Sequence, residues 1–91
     1  MAVTVRIPSP LRNLTDGAAK VETEAGDVRG VIDQLEAKHP GFAERVLDDE
    51  GELQRFVNVF VSDEDVRFEQ GLDTPVADGE VVSIVPAVAG G

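Results

Sequence analysis

Few side chains in this sequence could carry chemistry by themselves. There is no cysteine and a single histidine, His39. Without a thiol, the chain has no cysteine nucleophile, no disulfide framework and no Cys-based metal site. His39 falls near the end of a predicted helix, where a polar residue interacts with the last carbonyls and the helix dipole. Nothing in the spacing marks it as the base for Ser83, which sits in a predicted strand, or gathers further metal ligands around it. Carboxylates cluster at Asp48-Asp49-Glu50 and Asp63-Glu64-Asp65. Both clusters read as solvated turns, without the apolar pocket that raises a carboxyl pKa for acid catalysis. No glycine-rich phosphate cradle of either common pattern is present. What is left is the terminal carboxylate of Gly91, ionised at neutral pH with a pKa of about 3.3–3.7.

The residues leading to it suit delivery into a confined site. Pro86-Ala87-Val88-Ala89-Gly90-Gly91 carries no charged side chain, and an extended run of that length reaches roughly 20 Å. Gly90 and Gly91 can take φ > 0 and pass a slot too narrow for a Cβ. Termini of small residues also simply fray, so the tail alone leaves both readings open. A carboxylate is a poor acylating agent because its leaving group would be oxide. Transfer of AMP from ATP would give an acyl-adenylate open to attack by sulfide, persulfide or an amine. The chain contains none of the machinery for that step, so a separate ATP-binding partner must supply it. It reads as a carrier acted on by an enzyme, with no catalytic residues of its own.

The elements that must hold the tail follow from periodicity. Val3, Val5 and Ile7 alternate with Ala2, Thr4 and Arg6, which predicts a strand with one buried face. Pro8-Ser9-Pro10 ends it, Leu11 and Leu14 anchor the turn, and residues 18–24 return antiparallel with Val21 inward. Asp27 is an N-cap candidate. Val28, Val31, Ile32 and Leu35 form one stripe of an amphipathic helix, closed by Pro40-Gly41. Phe42 to Leu47 adds a helical turn, with Phe42 and Val46 in the core. Phe56-Val57-Asn58-Val59-Phe60-Val61 is the strongest strand signal. Val66 to Phe68 is expected as a short strand, Leu72 and Val76 as tucked-in connectors, and Val81 to Val85 as the last strand before Pro86. The order suits an α+β fold, a mixed sheet of four to five strands with one main helix on one face. If the last strand lies parallel beside the first, the fold is β-grasp, as in ubiquitin. Residues 1–85 then form the domain and 86–91 a flexible tail.

Composition bounds the partners. At 91 residues, 42% hydrophobic and 29% charged, the chain is one small globular domain. No apolar run approaches the roughly 20 residues that span a bilayer, and the N-terminus lacks a signal-peptide pattern, so a cytoplasmic location is expected. The net charge is −10, and from Val61 onward seven acids face the single base Arg67. Such a field repels nucleic acid and anionic lipid and favours encounter with a basic protein surface.

Three stretches carry a family resemblance: Phe56-Val57-Asn58-Val59, Asp73-Thr74-Pro75-Val76-Ala77-Asp78-Gly79-Glu80-Val81, and Pro86-Ala87-Val88-Ala89-Gly90-Gly91. Together they resemble the MoaD/ThiS family of ubiquitin-like sulfur carriers. Phe56-Val57-Asn58, Asp63-Glu64-Asp65-Val66-Arg67-Phe68 and the ending at residues 86–91 together make the chain most similar to the bacterial carriers of the cysteine-biosynthesis branch. The resemblance implies that an E1-like adenylating and sulfur-transferring enzyme activates Gly91 with ATP and magnesium. Sulfur then replaces the adenylate to give a C-terminal thiocarboxylate. The carrier itself binds no cofactor and no metal. A sulfur-accepting synthase takes the sulfur, of cysteine, thiazole or molybdopterin type. In the cysteine branch a metal-dependent peptidase releases the product.

Alternation also suggests a docking surface. With Val82 and Ile84 inward, Val81, Ser83 and Val85 face out; with Val57, Val59 and Val61 inward, Phe56, Asn58 and Phe60 face out. Phe60, Val81 and Val85 would then form an apolar patch at the root of the tail. Two other functions remain open on the sequence: a ubiquitin-like modifier joined to lysines through Gly91, and a binding domain with an inert tail.

Overall fold

In the computed structural model, which describes residues 2–86, β1 (Val3–Arg6) buries Val3 and Val5 and leaves Arg6 exposed. The chain then turns through a 3-10 segment, Ser9–Thr15, whose Leu11 and Thr15 are buried. The Thr15 hydroxyl donates to the Ala18 carbonyl at 2.8 Å, and Arg12 Nε donates to the Ile7 carbonyl at 3.1 Å. These bonds fold the connection back on itself. β2 (Lys20–Thr23) returns antiparallel to β1, with Val5 opposite Val21 and Val3 opposite Thr23. Val21 therefore faces inward as expected, but at the sheet edge it is only half-buried, and Thr23 is the more enclosed of the two.

Two-residue β3 (Gly26–Asp27) leads into α1 (Val28–Lys38). Asp27 caps that helix, its Oδ1 accepting from the Gly30 N–H at 2.7 Å, and the stripe Val28, Val31, Ile32 and Leu35 is buried. Gly30 has a reason to be inside a helix: a Cβ there would sit 3.2 Å from the capping carboxylate. His39 is the C-cap, its backbone N–H bonding to the Leu35 carbonyl at 2.7 Å. A second helix, α2 (Phe42–Val46), buries Phe42 and Val46. The Glu36 carboxylate holds its start, accepting from the Gly41 and Ala43 N–H groups. Those backbone donors lower the Glu36 pKa below the ordinary glutamate value, with Ala43 the largest cause.

β4 (Val57–Val61) alternates inward Val57, Val59 and Val61 with half-buried Asn58 and Phe60. Ser62 and Asp63 both take positive φ, 48° and 75°, and reverse the chain into β5 (Glu64–Asp65), with Val61 opposite Glu64. The short strand thus lies two residues earlier than Val66–Phe68, which is a 3-10 turn. The cause is local: Asp65 Oδ1 accepts from the Arg67 N–H at 2.8 Å and bends the chain there. β6 (Pro75–Val76) pairs with β3, and β7 (Val81–Pro86) closes the fold.

The sheet order is β2-β1-β7-β4-β5. β7 lies in its centre, parallel to β1 and antiparallel to β4, which is the β-grasp topology expected above. One core lies between sheet and helices, joining the α1 stripe and Phe42 to Val3, Val5, Val59, Val82 and Ile84. Each such side chain contributes about 1.5–3 kcal/mol on burial.

Candidate functional site

The tail is rooted in the strand that the fold holds from both sides. Opposite β4, the β7 register runs Val61–Val82, Phe60–Ser83, Val59–Ile84, Asn58–Val85 and Val57–Pro86. Pro86 therefore belongs to the ladder, one residue beyond the expected end of the strand. The hydrogen-bond phase explains why a proline fits there. The Thr4 N–H donates to the Glu80 carbonyl at 3.1 Å, and the register then directs the Val82 and Ile84 backbone groups toward β1. Pro86, two residues on, points the same way, so its missing N–H faces away from β4 and costs that ladder nothing. The ladder to β1 ends at Arg6–Ser83, because the next donor would be Pro8, which has no N–H. The chain leaves this half-open end of β7 toward Gly91. Ala87, Val88, Ala89, Gly90 and Gly91, named above as the inserting tail and reactive end, lie outside the described residues.

Around that root, the sheet face turned away from α1 carries the three residues proposed for docking. Phe60 stands opposite Ser83, diagonal to both Val81 and Val85, within reach of an aromatic ring. Phe60 and Val81 are half-buried and Val85 is 46% exposed. Phe56 just precedes β4 and is 50% exposed. Arg67 pins the neighbouring segment: one guanidinium nitrogen donates to Asn58 Oδ1 at 2.7 Å and the other to the Gln54 carbonyl. Phe68, which would have been half-hidden in a strand, stands 86% exposed on the 3-10 turn.

Beside the patch lies a groove that sequence reasoning did not find. Its volume is about 520 Å³, and Arg6, Arg12 and Lys20 line it together with Ile7, Pro8 and Pro10 of the β1 exit and Ser83 to Pro86 of β7. Its three cations come from three separate segments. Only the β1–β2 register, which sets Arg6 opposite Lys20, and the Arg12 bond back to Ile7 gather them. No signal in the linear sequence would have done so.

The acidic field is partly structural. Glu80 accepts from the Ala77 N–H at 2.8 Å and from the Ser62 hydroxyl at 3.1 Å, closing the turn before β7, while Asp73 lies 3.8 Å from Arg29. Asp63, Glu64, Glu69 and Asp78 are exposed and remain available to a partner. Among the described residues no group of three or more His, Asp or Glu is placed to hold a metal ion, and no helix is long and apolar enough to cross a membrane.

Comparisons with known proteins agree with this construction. The chain is 50% identical, over the full length of both, to the sulfur carrier protein CysO of Mycobacterium tuberculosis. Its fold superposes with a TM-score of 0.93 on a chain of the crystallised Amycolatopsis orientalis BexX/CysO complex, at 49% identity and covering 99% of this chain and 100% of that one. A small archaeal modifier protein 3 from Haloferax volcanii is 41% identical over 64 residues, which are 70% of this chain and 68% of that protein. The model of the ThiS family matches residues 5–91, and with a β-grasp body rooting a Gly-Gly end in its central strand, this chain belongs to the ThiS family.

Proposed function

We propose that this chain is a sulfur carrier that supplies cysteine biosynthesis, with Gly91 as the group that carries the sulfur. A Gly91 carboxylate oxygen attacks the α-phosphorus of ATP in an E1-like partner, and pyrophosphate leaves. Hydrosulfide then attacks the acyl carbon, AMP departs, and a C-terminal thiocarboxylate remains for a sulfur-accepting synthase. The tail's reach brings Gly91 to each enzyme, while the Phe60, Val81 and Val85 patch fixes the angle of approach. The observation that carries this reading is the full-length identity to the CysO carrier, which exceeds in identity and coverage the match to the archaeal modifier. A complex between a 49%-identical relative and BexX supports a working life spent docked on other proteins.

Intact-mass spectrometry tests it. Incubation with an activating enzyme, ATP, magnesium and sulfide should exchange one oxygen for sulfur at the C-terminus, and deletion of Gly91 should abolish the exchange. Adenylation followed only by lysine-linked adducts would instead identify a modifier.

A further inference from the structure

The groove beside the tail root carries charge of the opposite sign to the rest of the molecule. The chain has 18 carboxylates and a net charge of −10. Yet the groove is lined by Arg6, Arg12 and Lys20 and by no acid, and none of the three cations is in an ion pair among the described residues. Its walls are apolar, built from Pro8, Pro10 and Val85. Its β7 edge offers acceptors only. The Ile84 and Pro86 carbonyls point to this side, Pro8 cannot donate to the first, and Pro86 brings no N–H of its own.

We propose that this groove is a docking subsite for an extended acidic segment of the enzyme that activates Gly91, an inference that rests on the activation proposed above. A peptide segment answers each feature: carboxylates for the cations, apolar side chains for the proline walls, and backbone N–H groups for the β7 carbonyls. A free inorganic anion answers only the first. Position favours the contact, because Pro86, the last residue before the tail, forms part of the groove's lining. Charge gives the subsite its use. The acidic field draws the carrier toward a basic enzyme surface, but attraction alone leaves several orientations open. A basic groove that accepts only an acidic segment selects the one that aims the tail at the nucleotide.

The test titrates the isotope-labelled full chain with acetyl-Glu-Val-Glu-Val-amide by NMR. Saturable amide shifts are expected at Arg6, Ser9, Lys20, Ser83 and Val85, with none from the Lys-Val-Lys-Val counterpart. Both cations to be changed are exposed, so the double variant Arg6→Glu/Lys20→Glu should keep its dispersed spectrum and lose about ten-fold or more in peptide affinity. Arg6→Gln/Lys20→Gln serves as a milder second variant with the same direction of change. In pyrophosphate exchange with the activating enzyme, the charge-reversed carrier should show a KM raised about ten-fold with kcat unchanged. Unshifted groove amides, equal shifts from sodium sulfate, or equal affinity in the reversed variant would each overturn the subsite. A wild-type chain that binds the peptide but supports no exchange would sink the activation reading and leave the subsite standing.

Discussion

Ile84 and Val85 are neighbours in sequence on opposite faces of the central strand, and substituting each should separate folding from docking. Ile84 is 3% exposed and stands opposite fully buried Val59. Truncation to Ala should cost about 2–5 kcal/mol, from lost transfer energy and the cavity left behind. For a domain of this size the total stability is of order 5–14 kcal/mol, so Ile84→Ala should still fold, with its Tm lowered by about 8–30 °C. Val85 is 46% exposed and opposite half-buried Asn58. Val85→Asp loses strand preference and about half of a valine's burial, for about 1–2 kcal/mol. Binding should invert that order. At a temperature where both variants are more than nine-tenths folded, Ile84→Ala should bind the proposed activating enzyme as tightly as the unaltered sequence. Val85→Asp places a charge in the apolar patch and should weaken binding by about ten-fold or more. Thermal denaturation followed by circular dichroism and calorimetric titration give the two numbers. Equal loss of binding in both variants, or a Val85→Asp melting point as low as that of Ile84→Ala, would refute the assignment of faces and of the docking patch.

Other changes test other parts of the construction. Asp63 holds φ at 75° in the β4–β5 turn, a conformation that costs an ordinary residue about 1–2 kcal/mol. Asp63→Gly relieves that strain but gives the unfolded chain more freedom, so a net gain of about 0.5–1 kcal/mol is expected in urea denaturation; a loss would show that the Asp side chain supports the turn. Glu36→Gln should destabilise α2, and the difference from the unaltered chain should depend on pH. Because its folded-state pKa is lowered, the carboxylate's contribution is complete above the ordinary glutamate range, near pH 4.3. It disappears as pH falls through the folded-state value, so denaturation curves of the two proteins should converge in acid. A gap that widens in acid would contradict this. Gly90→Val should leave the melting temperature unchanged and reduce thiocarboxylate formation by at least about ten-fold if the entry slot excludes a branched Cβ; unchanged yield would remove the slot.

Most of the architecture is dictated by local pattern. Period-two alternation marks β1 and β4, the i, i+3, i+4, i+7 stripe marks α1, and Asp27 marks its start, because each of these signals reports which side of an element meets the core. The expectation placed on the Gly-Gly end is likewise local, since it rests on what the sequence lacks there: charge, bulk and any rival reactive group. Short-range hydrogen bonds are harder to read. The strand expected at Val66–Phe68 gives way to Glu64–Asp65 because the Asp65 side chain captures the Arg67 N–H, a competition that hydrophobic pattern does not register. Pro86 was expected to stop β7, and proline does remove a donor. Only the phase of the ladder shows that the lost donor faces the open side. The groove was wholly a product of tertiary structure. Arg6, Arg12 and Lys20 are isolated charges in the sequence, and parallel pairing of β1 with β7 and antiparallel pairing with β2 place them around one end of the central strand. The uncharged, slim run of residues 86–91 is legible in the sequence alone; the groove beside its root was decided by strand order and register, because charge and shape converge only where distant segments are folded side by side.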